Sequence, residues 1–423
     1  MASYRERVVD VEIDALLPHL PAISLEGPKG VGKTTTARQR GRTFRQLDDP
    51  AQLEIVTAQP SRLITGEPPI VIDEWQRYPA SWDLVRRAVD ADSAPGRFLL
   101  TGSSTPSQKP THSGAGRIVT VRMRPLSLPE RGVDIPTVSL SSLLTGERPD
   151  LGGTTTVSLE GYLAEIVAGG FPGMRYADDR AQRASLDGYL ERIVDTDLPE
   201  FGIDLRRPET MKRWLRAFAA ATSTSCSYEK IRDAATAGDD AKPAKETTMA
   251  YRQALERLWI VDELPAWTPS RNHLNRLVGA PKHHLADPAL AVRLLGLDSG
   301  ALLSGEGASA IVHDGVFLGS LFESLATQGV RVFAQADEAS VAHLRTKGGD
   351  HEVDLVVIRG DGKVVAIEVK LSSTVDDDDV RHLRWLQRQL GPDVLDAVVL
   401  TTGSEAFRRS DGVGVVPLAL LGP

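Results

Sequence analysis

A glycine-rich turn between an apolar strand and a helical stretch constrains the fold of this 423-residue chain more than any other feature. Residues 22–25 read AISL, the turn at residues 27–34 reads GPKGVGKT, and a helical pattern follows. The glycines let the backbone bend until successive N–H groups point at phosphate oxygens, and the helix N-terminus adds its partial positive charge. This order of strand, loop and helix predicts a P-loop, which binds the phosphates of a nucleotide.

An acidic pair completes the predicted nucleotide site. The apolar run at residues 70–72 ends in Asp73 and Glu74, forty residues after Lys33. We expect Lys33 to reach the β- and γ-phosphates, Thr34 and Asp73 to hold Mg²⁺, and Glu74 to polarise the attacking water. The cofactors predicted in this way are ATP and Mg²⁺. The expected nucleotide contacts from the loop are Gly27, Gly30, Gly32, Lys33, Thr34 and Thr35.

A further strand, at residues 98–100, runs into the sequence TGSS at residues 101–104. A hydroxyl group here, from Thr101 or Ser103, is placed to sense the γ-phosphate between the loop and the acidic pair. Serine and threonine also simply end strands, so the sequence leaves both interpretations open.

The apolar pattern predicts an α/β protein in three parts. Over residues 1–150, buried runs at 22–25, 70–72, 98–100 and 118–121 alternate with helical patterns, which favours a parallel sheet. Residues 135–157 are rich in Ser, Thr, Gly and Pro and predict a linker or long loop. Residues 158–295 are mostly helical. One predicted helix face carries Leu186, Tyr189, Leu190, Ile193, Val194 and Leu198, and another carries Met211, Trp214, Leu215 and Phe218.

Residues 310–423 return to α/β character. We predict strands at 330–333, 341–344, 353–358 and 364–369, followed by a helix at 377–390. In this region Glu323 lies on a helical stretch, Asp354 lies on one strand, and Glu368 and Lys370 lie on the next. Positions i and i+2 of a strand share a face, so Glu368 and Lys370 face the same side. Carboxylates on neighbouring strands can hold Mg²⁺, which predicts a metal site at Asp354 and Glu368.

Composition limits the remaining classes of function. The net charge is −8, so a nucleic-acid surface would have to be a local patch. A single cysteine, Cys226, excludes a disulfide framework and, with a charged N-terminal segment, leads us to expect a cytoplasmic protein. No run approaches the roughly 20 apolar residues of a membrane span. The nine histidines show no zinc-ligand spacing.

The middle part offers two basic clusters and a helix order typical of DNA-binding modules. Helices at 209–222, 228–235 and 246–258, with a wing beginning at 260–264, predict a helix-turn-helix arrangement. The expected phosphate contacts are Arg206, Arg207, Lys212, Arg213 and Arg216, together with Lys245, Thr247, Thr248, Tyr251 and Arg252 on the third helix. A second basic cluster comprises Arg271, His273, Arg276, Lys282, His283 and His284. Such modules also serve as lids and protein contacts in ATPases, and that alternative stays open.

These segments together resemble the AAA+ P-loop ATPases of bacteria and archaea that are fused to a C-terminal domain of unknown function. The resemblance rests, in order, on GPKGVGKT, IVIDEWQRYP, FLLTGSS, SGAGRIVTVRMRPLSLPE, GGFP, YRQALERLWIVDELPAW, KHHLADPALAVRLLG, LFESLA, GGDHEVDLVV and AIEVK. It implies an ATPase core at 1–150, a helical lid at 158–205, a winged helix at 206–295 and a restriction-endonuclease-like domain at 310–423. The C-terminal residues Glu323, Asp354, Glu368 and Lys370 resemble a PD-(D/E)xK endonuclease core.

The resemblance also implies roles for single residues. Thr101 or Ser103 would be the sensor, and Arg117 would be an arginine finger or a cis arginine beside the phosphates. The GGFP segment, with Pro172, would form part of the lid over the adenine, although its glycines also fit a helix C-cap. The sequence departs from the family where an Arg-Asp pair is expected and Thr196-Asp197 stands.

The sequence therefore predicts an ATP-hydrolysing protein that acts on DNA, recognises DNA shape rather than base sequence, and forms a homo-oligomer. Two alternatives stay open. One is a nucleotide-switch regulator that uses its C-terminal domain for protein contacts, and the other is an ATP-regulated, metal-dependent endonuclease.

Overall fold

A computed structural model of the chain describes residues 4–104, 113–200, 208–236, 244–269, 279–304, 315–346 and 348–423. Its strands form two main sheets, one near each end of the chain, and helices lie between them. Arg206, Arg207, Arg271, His273 and Arg276 of the predicted basic clusters lie outside the described residues.

The N-terminal sheet is parallel and has the strand order β2-β3-β4-β1-β5. Its strands are β1 (Ala22–Glu26), β2 (Thr43–Gln46), β3 (Ile70–Asp73), β4 (Phe98–Gly102) and β5 (Val119–Arg122). The four predicted strands are present, and the prediction missed β2. That strand is short, lies at the edge of the sheet and is not buried, so it carries no apolar run to detect.

Short helices surround this sheet. They are α1 (Val8–Leu16), α2 (Lys33–Arg38), α3 (Pro50–Ala58), α4 (Ala80–Ala91) and α5 (Leu128–Arg131). The helix α2 begins directly after the glycine-rich turn, as the P-loop prediction requires. The strand β1 pairs on one side with β4 and on the other with β5, so the turn that follows it lies at the carboxyl edge of the sheet.

The segment 135–157, predicted as a linker or long loop, packs against the C-terminal part of the chain. It contains β6 (Val138–Ser139) and α6 (Leu140–Thr145), and β6 pairs in parallel with β14 (Leu421–Gly422) near the C-terminus. Leu140, Leu143 and Leu144 of α6 are buried. The prediction failed because the segment's apolar residues are few and stand among Ser, Thr and Gly, although Val138 and the three leucines of α6 are buried in the core.

The middle part is helical, as predicted. Its helices are α7 (Leu159–Ala168), α8 (Pro172–Arg175), α9 (Asp179–Arg192), α10 (Leu198–Glu200), α11 (Pro208–Ala220), α12 (Tyr228–Ala235), α13 (Lys245–Arg257), α14 (Pro288–Leu294) and α15 (Ser299–Ser304). A π-helical turn at Ile193–Asp197 joins α9 to α10. The predicted apolar faces of α9 and α11 are buried, apart from a partly exposed Tyr189.

After α13 the chain forms an antiparallel pair of segments, 260–264 and 282–286, which we call the connecting hairpin. Its backbone hydrogen bonds include Asp262 N–H to the His284 carbonyl and a reciprocal pair between Leu264 and Lys282, each 2.9 Å long. Between the two segments, β7 (Ala266–Trp267) joins the edge of the C-terminal sheet. The hairpin therefore connects the helical part directly to that sheet.

The C-terminal sheet has the order β12-β13-β11-β10-β9-β8-β7. Its further strands are β8 (Ser340–Arg345), β9 (Glu352–Ile358), β10 (Val364–Val369), β11 (Val394–Thr401), β12 (Phe407–Arg408) and β13 (Gly414–Pro417), and its helices are α16 (Gly315–Ala336) and α17 (Arg381–Leu390). The predicted strand at 330–333 is wrong, because those residues lie in α16. Three apolar residues in a run of four do not distinguish a strand from a stretch of helix.

One buried carboxylate joins the two ends of the molecule. Asp262 of the connecting hairpin is 7% exposed and lies 2.9 Å from each of three guanidinium groups, those of Arg122, Arg124 and Arg331. Arg122 ends β5, Arg124 follows it, and Arg331 lies on α16. Burial raises the pKa of the Asp262 carboxyl, but the arginines outweigh burial and hold that pKa well below its usual range. We call this group the Asp262 clamp.

Among the described residues, no helix combines the length and the apolar character that a membrane crossing requires.

Replacing Asp262 with asparagine removes the negative charge from the clamp and leaves three neighbouring arginines without their shared partner. We expect a loss of about 3–5 kcal/mol in the free energy of unfolding, the usual cost of breaking a buried ion pair. Urea unfolding at neutral pH measures it. Asp150→Asn, an exposed aspartate, is the matched control and should leave the unfolding midpoint unchanged. Equal midpoints for both variants would contradict a structural role for the clamp.

Candidate nucleotide site and carboxylate cluster

The glycine-rich turn borders a cavity of about 600 Å³ at the carboxyl edge of the N-terminal sheet. The P-loop, the acidic pair and the α8 segment all contribute to its wall. The lining residues are Lys29, Gly30, Gly32, Lys33, Thr34, Thr35, Asp48, Asp73, Glu74, Arg77, Ser103, Pro172 and Gly173. The structure therefore brings together most of the predicted nucleotide contacts, which the sequence separates by as much as 140 residues.

Two glycines of the turn are required by geometry. A Cβ at Gly27 would lie 2.1 Å from the backbone carbonyl oxygen of Met123, a contact that no side chain can make. Gly32 caps α2 with a φ of 105°, in the left-handed region that side chains disfavour. The turn therefore has the close approach and backbone bend that let its N–H groups face a bound anion.

Lys33 lies at the base of the cavity and is buried. Its ammonium group donates hydrogen bonds of 2.8 Å to the carbonyl oxygens of Gly27 and Pro28. Burial lowers the pKa of Lys33 to about 8, although the carboxylates of Glu74, Asp73 and Glu26 act in the opposite direction. Without a bound anion, Lys33 therefore loses its proton more readily than an ordinary lysine does.

Asp73 and Thr34 lie together, as a magnesium site on this loop requires. The Thr34 hydroxyl donates a 2.7 Å hydrogen bond to one carboxylate oxygen of Asp73, and the Thr101 hydroxyl donates to the same oxygen. Hydroxyl and carboxylate oxygens are ligands that Mg²⁺ prefers, so these residues fit the ion. Thr101 contacts Asp73 rather than the cavity, so its position supports an indirect role next to the metal ligands.

Both carboxylate oxygens of Glu74 have hydrogen-bond partners. Ser103 donates to one oxygen over 2.7 Å, and the Gln76 amide donates to the other. The backbone of Glu74 has a φ of 53°, and its N–H donates to the Thr101 hydroxyl over 3.2 Å. A left-handed glutamate directly after a buried strand is unusual and turns this side chain toward the cavity. Gln76 was not predicted as a site residue.

The α8 segment and the π-helical turn approach the P-loop from the other side of the cavity. Gly169 caps α7, as the alternative interpretation of GGFP predicted, while Pro172 lines the cavity. Lys29 of the P-loop forms a 2.5 Å ion pair with Asp197 in the π-helical turn. Asp197 belongs to the Thr196-Asp197 pair, in which Thr196 stands where the family pattern has an arginine. Turns of the π-helical type often occur at functional positions, but this one is visible only in the fold, so no sequence signal pointed to Asp197.

Arg117 is not among the residues that line this cavity. Its guanidinium group forms a 2.9 Å ion pair with Asp90 of α4 and is about half exposed. Its catalytic role stays a prediction that requires a neighbouring subunit.

In the C-terminal sheet, the predicted acidic residues meet around a lysine that was predicted to face DNA. The Lys282 ammonium lies 2.8 Å from Glu323, 2.9 Å from Asp354 and 3.1 Å from Glu352. Asp354 also accepts a 3.0 Å hydrogen bond from the Val369 N–H. Despite burial, the carboxylates raise the pKa of Lys282 well above its usual value. The cluster therefore contains its own cation.

Glu368 and Lys370 complete the cluster on β10. Burial and the neighbouring Asp354 charge raise the pKa of the Glu368 carboxyl well above its usual range. The Lys370 ammonium lies 3.5 Å from one Glu368 oxygen. Among the described residues, no three or more His, Cys, Asp or Glu side chains are arranged to hold a metal ion. The metal site at Asp354 and Glu368 stays a prediction.

The predicted DNA contacts are only partly at the surface. Tyr251 is 6% exposed and packs against Trp214, and Thr248 is also buried, so neither Tyr251 nor Thr248 is presented to DNA as expected.

The described half of the second basic cluster is also buried, so it cannot contact DNA. Its members are Lys282, His283 and His284. Periodicity failed to place these residues because aromatic and long polar side chains occur both on surfaces and in cores. Among the remaining described members, Arg216 and Lys245 are exposed.

Three stretches of the chain match known protein families. Residues 19–131 match the family described as AAA domain, and residues 159–301 and 318–421 match two families described as domains of unknown function, DUF8612 and DUF4143. The AAA match coincides with the P-loop, the acidic pair and the parallel sheet. Residues 19–131 form a P-loop ATPase domain of the AAA type.

Similar proteins extend beyond the ATPase domain. An uncharacterized protein of Mycobacterium tuberculosis and one of Mycobacterium bovis are each 24% identical over 407 residues, which is 95% of this chain and 81% of theirs. Among solved structures, a Walker-type ATPase of Pyrococcus abyssi is 16% identical, with a TM-score of 0.39, and covers 69% of this chain and 96% of its own. The ORC2 protein of Aeropyrum pernix is 15% identical, with a TM-score of 0.31, and the match covers 70% of this chain and 95% of the ORC2 chain.

The lowered pKa of Lys33 predicts that nucleotide affinity depends on pH. In the protein without nucleotide the pKa of Lys33 is about 8, so the lysine loses its proton as pH rises through that value. Phosphate binding requires the charged form, so affinity for an ATP analogue should fall about tenfold between pH 7 and pH 9. Fluorescence titration with a labelled, non-hydrolysable analogue measures it. Affinity that stays constant over this range would contradict titration of Lys33 between pH 7 and pH 9.

Proposed function

We propose that this protein is an AAA-type ATPase that acts on DNA, with ATP turnover in the N-terminal cavity and DNA contact in the helical middle part. The observation that carries the ATPase is the convergence of Lys33, Asp73 and Glu74 on one cavity at the end of a parallel sheet. This convergence supports Lys33 as the phosphate ligand, Asp73 as the metal ligand and Glu74 as the water-orienting carboxylate of a phosphoryl-transfer site.

In this proposal each residue has a defined task. The Lys33 ammonium, now held by two backbone carbonyls, turns to the β- and γ-phosphates when ATP enters. Thr34 and Asp73 would hold Mg²⁺, which would neutralise charge on the phosphates. Glu74 orients the attacking water, and its hydrogen bonds with Ser103 and Gln76 must loosen before it can do so. Pro172 and Gly173 border the cavity on the side where the base would lie.

The DNA part of the proposal is supported by the order of elements in the middle part. Three helices, α11, α12 and α13, are followed by the connecting hairpin, which is the order of a winged helix. Arg216 on α11 and Lys245 at the start of α13 are exposed and can neutralise phosphates, which for Lys245 means displacing a 3.8 Å surface ion pair with Glu229. Such contacts position a protein on DNA without reading bases, which favours recognition of DNA shape.

A second candidate is a nucleotide-switch regulator that does not cut DNA. It is favoured by the carboxylate cluster, in which Lys282 lies where a catalytic cation would bind. In this alternative the C-terminal sheet serves as a scaffold for contacts with other proteins. Its acidic residues and its Glu-x-Lys sequence resemble an endonuclease core. A partner-stimulated ATPase that is indifferent to DNA would distinguish this candidate from the first.

Substitutions at the cavity test the ATPase assignment. Lys33→Ala should abolish ATP binding, because the buried phosphate ligand is lost. Glu74→Gln should still bind ATP but turn it over at least ~100-fold more slowly, as expected when the water-orienting group is removed. The exposed Glu54→Gln on α3 is the matched control and should retain full activity. Phosphate release and nucleotide binding are both measured. Normal turnover in both cavity variants would refute the assignment.

The proposal includes a homo-oligomer in which Arg117 reaches the cavity of a neighbouring subunit. Mixing Arg117→Ala subunits with Lys33→Ala subunits should then restore part of the ATPase activity, because each supplies what the other lacks. Sedimentation under turnover conditions measures the assembly. A fully active monomer would exclude this arrangement.

Charge reversal tests the DNA surface. The double substitution Arg216→Glu with Lys245→Glu should weaken binding to all DNA sequences alike. It should also reduce the slope of log affinity against log salt by about 0.9 for each phosphate that the protein no longer neutralises. Arg87→Glu, an exposed arginine on α4 of the ATPase domain, is the matched control. Unchanged DNA affinity in the double variant would place the DNA surface elsewhere or remove it.

A further inference from the structure

Lys282 occupies the centre of the carboxylate cluster in the C-terminal sheet. The residue is 2% exposed, and its ammonium lies within 2.8–3.1 Å of oxygens from Glu323, Asp354 and Glu352. These carboxylates come from α16 and β9, whereas Lys282 comes from the connecting hairpin. A lysine from outside the sheet and its helices is thus held by three acidic side chains at once.

The lysine and a divalent cation would compete for the same oxygens. Mg²⁺ and Ca²⁺ bind carboxylate oxygens at about 2.0–2.6 Å, and each needs several such ligands around one point. One carboxylate oxygen of Asp354 already contacts the Lys282 ammonium at 2.9 Å, and the second oxygen of Asp354 accepts a hydrogen bond from the Val369 N–H. An ammonium and a metal ion cannot both occupy this space, because the two positive charges would also repel each other.

One oxygen of the cluster remains without a partner. Glu368 is 3% exposed, and its Oε1 atom is buried with no hydrogen-bond donor. Leaving a buried acceptor unpaired costs stability, and such atoms in native proteins call for an explanation. The Glu368 carboxyl on β10 hydrogen-bonds Asp354 on the adjacent strand β9, and its unpartnered Oε1 atom is the position that a metal ion would use once Lys282 withdraws.

We propose that Lys282 is the resident cation of this cluster and closes it to divalent metal ions, so that the cluster becomes a Mg²⁺ or Mn²⁺ site only when the connecting hairpin withdraws Lys282. The proposal does not depend on ATP hydrolysis. The protein therefore contains a nuclease-like set of carboxylates whose cation position is filled by its own chain.

The hairpin that carries Lys282 is fixed at its other segment by the Asp262 clamp. Leu264 and Lys282 exchange two backbone hydrogen bonds of 2.9 Å, and Asp262, two residues before Leu264, pairs with Arg122 and Arg124 of the ATPase domain. Any displacement of the hairpin relative to the C-terminal sheet would move Lys282 out of the cluster. The clamp thus determines where the closing cation lies.

Mn²⁺ titration of the full chain without nucleotide, followed by electron paramagnetic resonance, tests the proposal. The wild type and Asp354→Asn should bind Mn²⁺ equally weakly, because the cluster takes up none. Lys282→Met should gain one site at least tenfold tighter than any in the wild type, and the added Asp354→Asn substitution should remove it. Lys282→Arg keeps a cation in place and should resemble the wild type, as should the exposed control Lys230→Met.

Two results would overturn the proposal. One is a folded Lys282→Met variant, judged by circular dichroism, whose Mn²⁺ binding equals that of the wild type. The other is tight Mn²⁺ binding by the wild type that Asp354→Asn abolishes, which would show that the lysine does not close the cluster. The second result needs no Lys282 variant, so the test holds even if Lys282→Met does not fold.

Discussion

The Asp262 clamp is the interaction on which the arrangement of the molecule depends. A single buried carboxylate binds guanidinium groups from the ATPase domain and from α16, and it lies on the hairpin that leads into the C-terminal sheet. Buried charges are tolerated only when paired and hydrogen-bonded, so three arginines around one aspartate specify one relative placement of these elements. Separating the buried ion pairs costs several kcal/mol, so the clamp opposes displacement of the hairpin unless the pairs are broken.

The clamp also lies close to the nucleotide cavity. Arg7 donates 2.8 Å hydrogen bonds to the Val31 carbonyl in the P-loop and to the Arg124 carbonyl, while the Arg124 side chain pairs with Asp262. The short segment that follows β5 therefore contacts the nucleotide-binding loop on one side and the connecting hairpin on the other. A change in the P-loop has a direct route of contacts to the hairpin that carries Lys282.

The sequence predicted the parts of the fold in which chemistry or burial leaves a local pattern. The P-loop needs its glycines at fixed spacing, and β1, β3, β4 and β5 are strands with clear apolar runs, so all were recognisable. The edge strand β2 and the packed helix α6 carry too few apolar residues to show a period. Residues 330–333 resembled a strand because three of the four are apolar and the run is too short to show a helical repeat.

The site residues divide in the same way. Asp73 and Glu74 follow a strand and have a local signal, whereas Lys282 gained its partners from elements 41 to 72 residues away. No local pattern distinguishes a lysine that meets phosphate from one that is buried among carboxylates. Likewise, nothing in the sequence indicated that Asp197 would pair with Lys29, which lies 168 residues away along the chain.

The proposal that ATP turnover and DNA contact form one function is tested most directly by the ATPase rate of the full chain with no DNA, single-stranded, duplex and branched DNA, measured side by side. The account predicts that at least one DNA raises the rate several-fold, and that added salt reverses the increase, because phosphate contacts carry the binding. The same rate in all four conditions at low salt would contradict it.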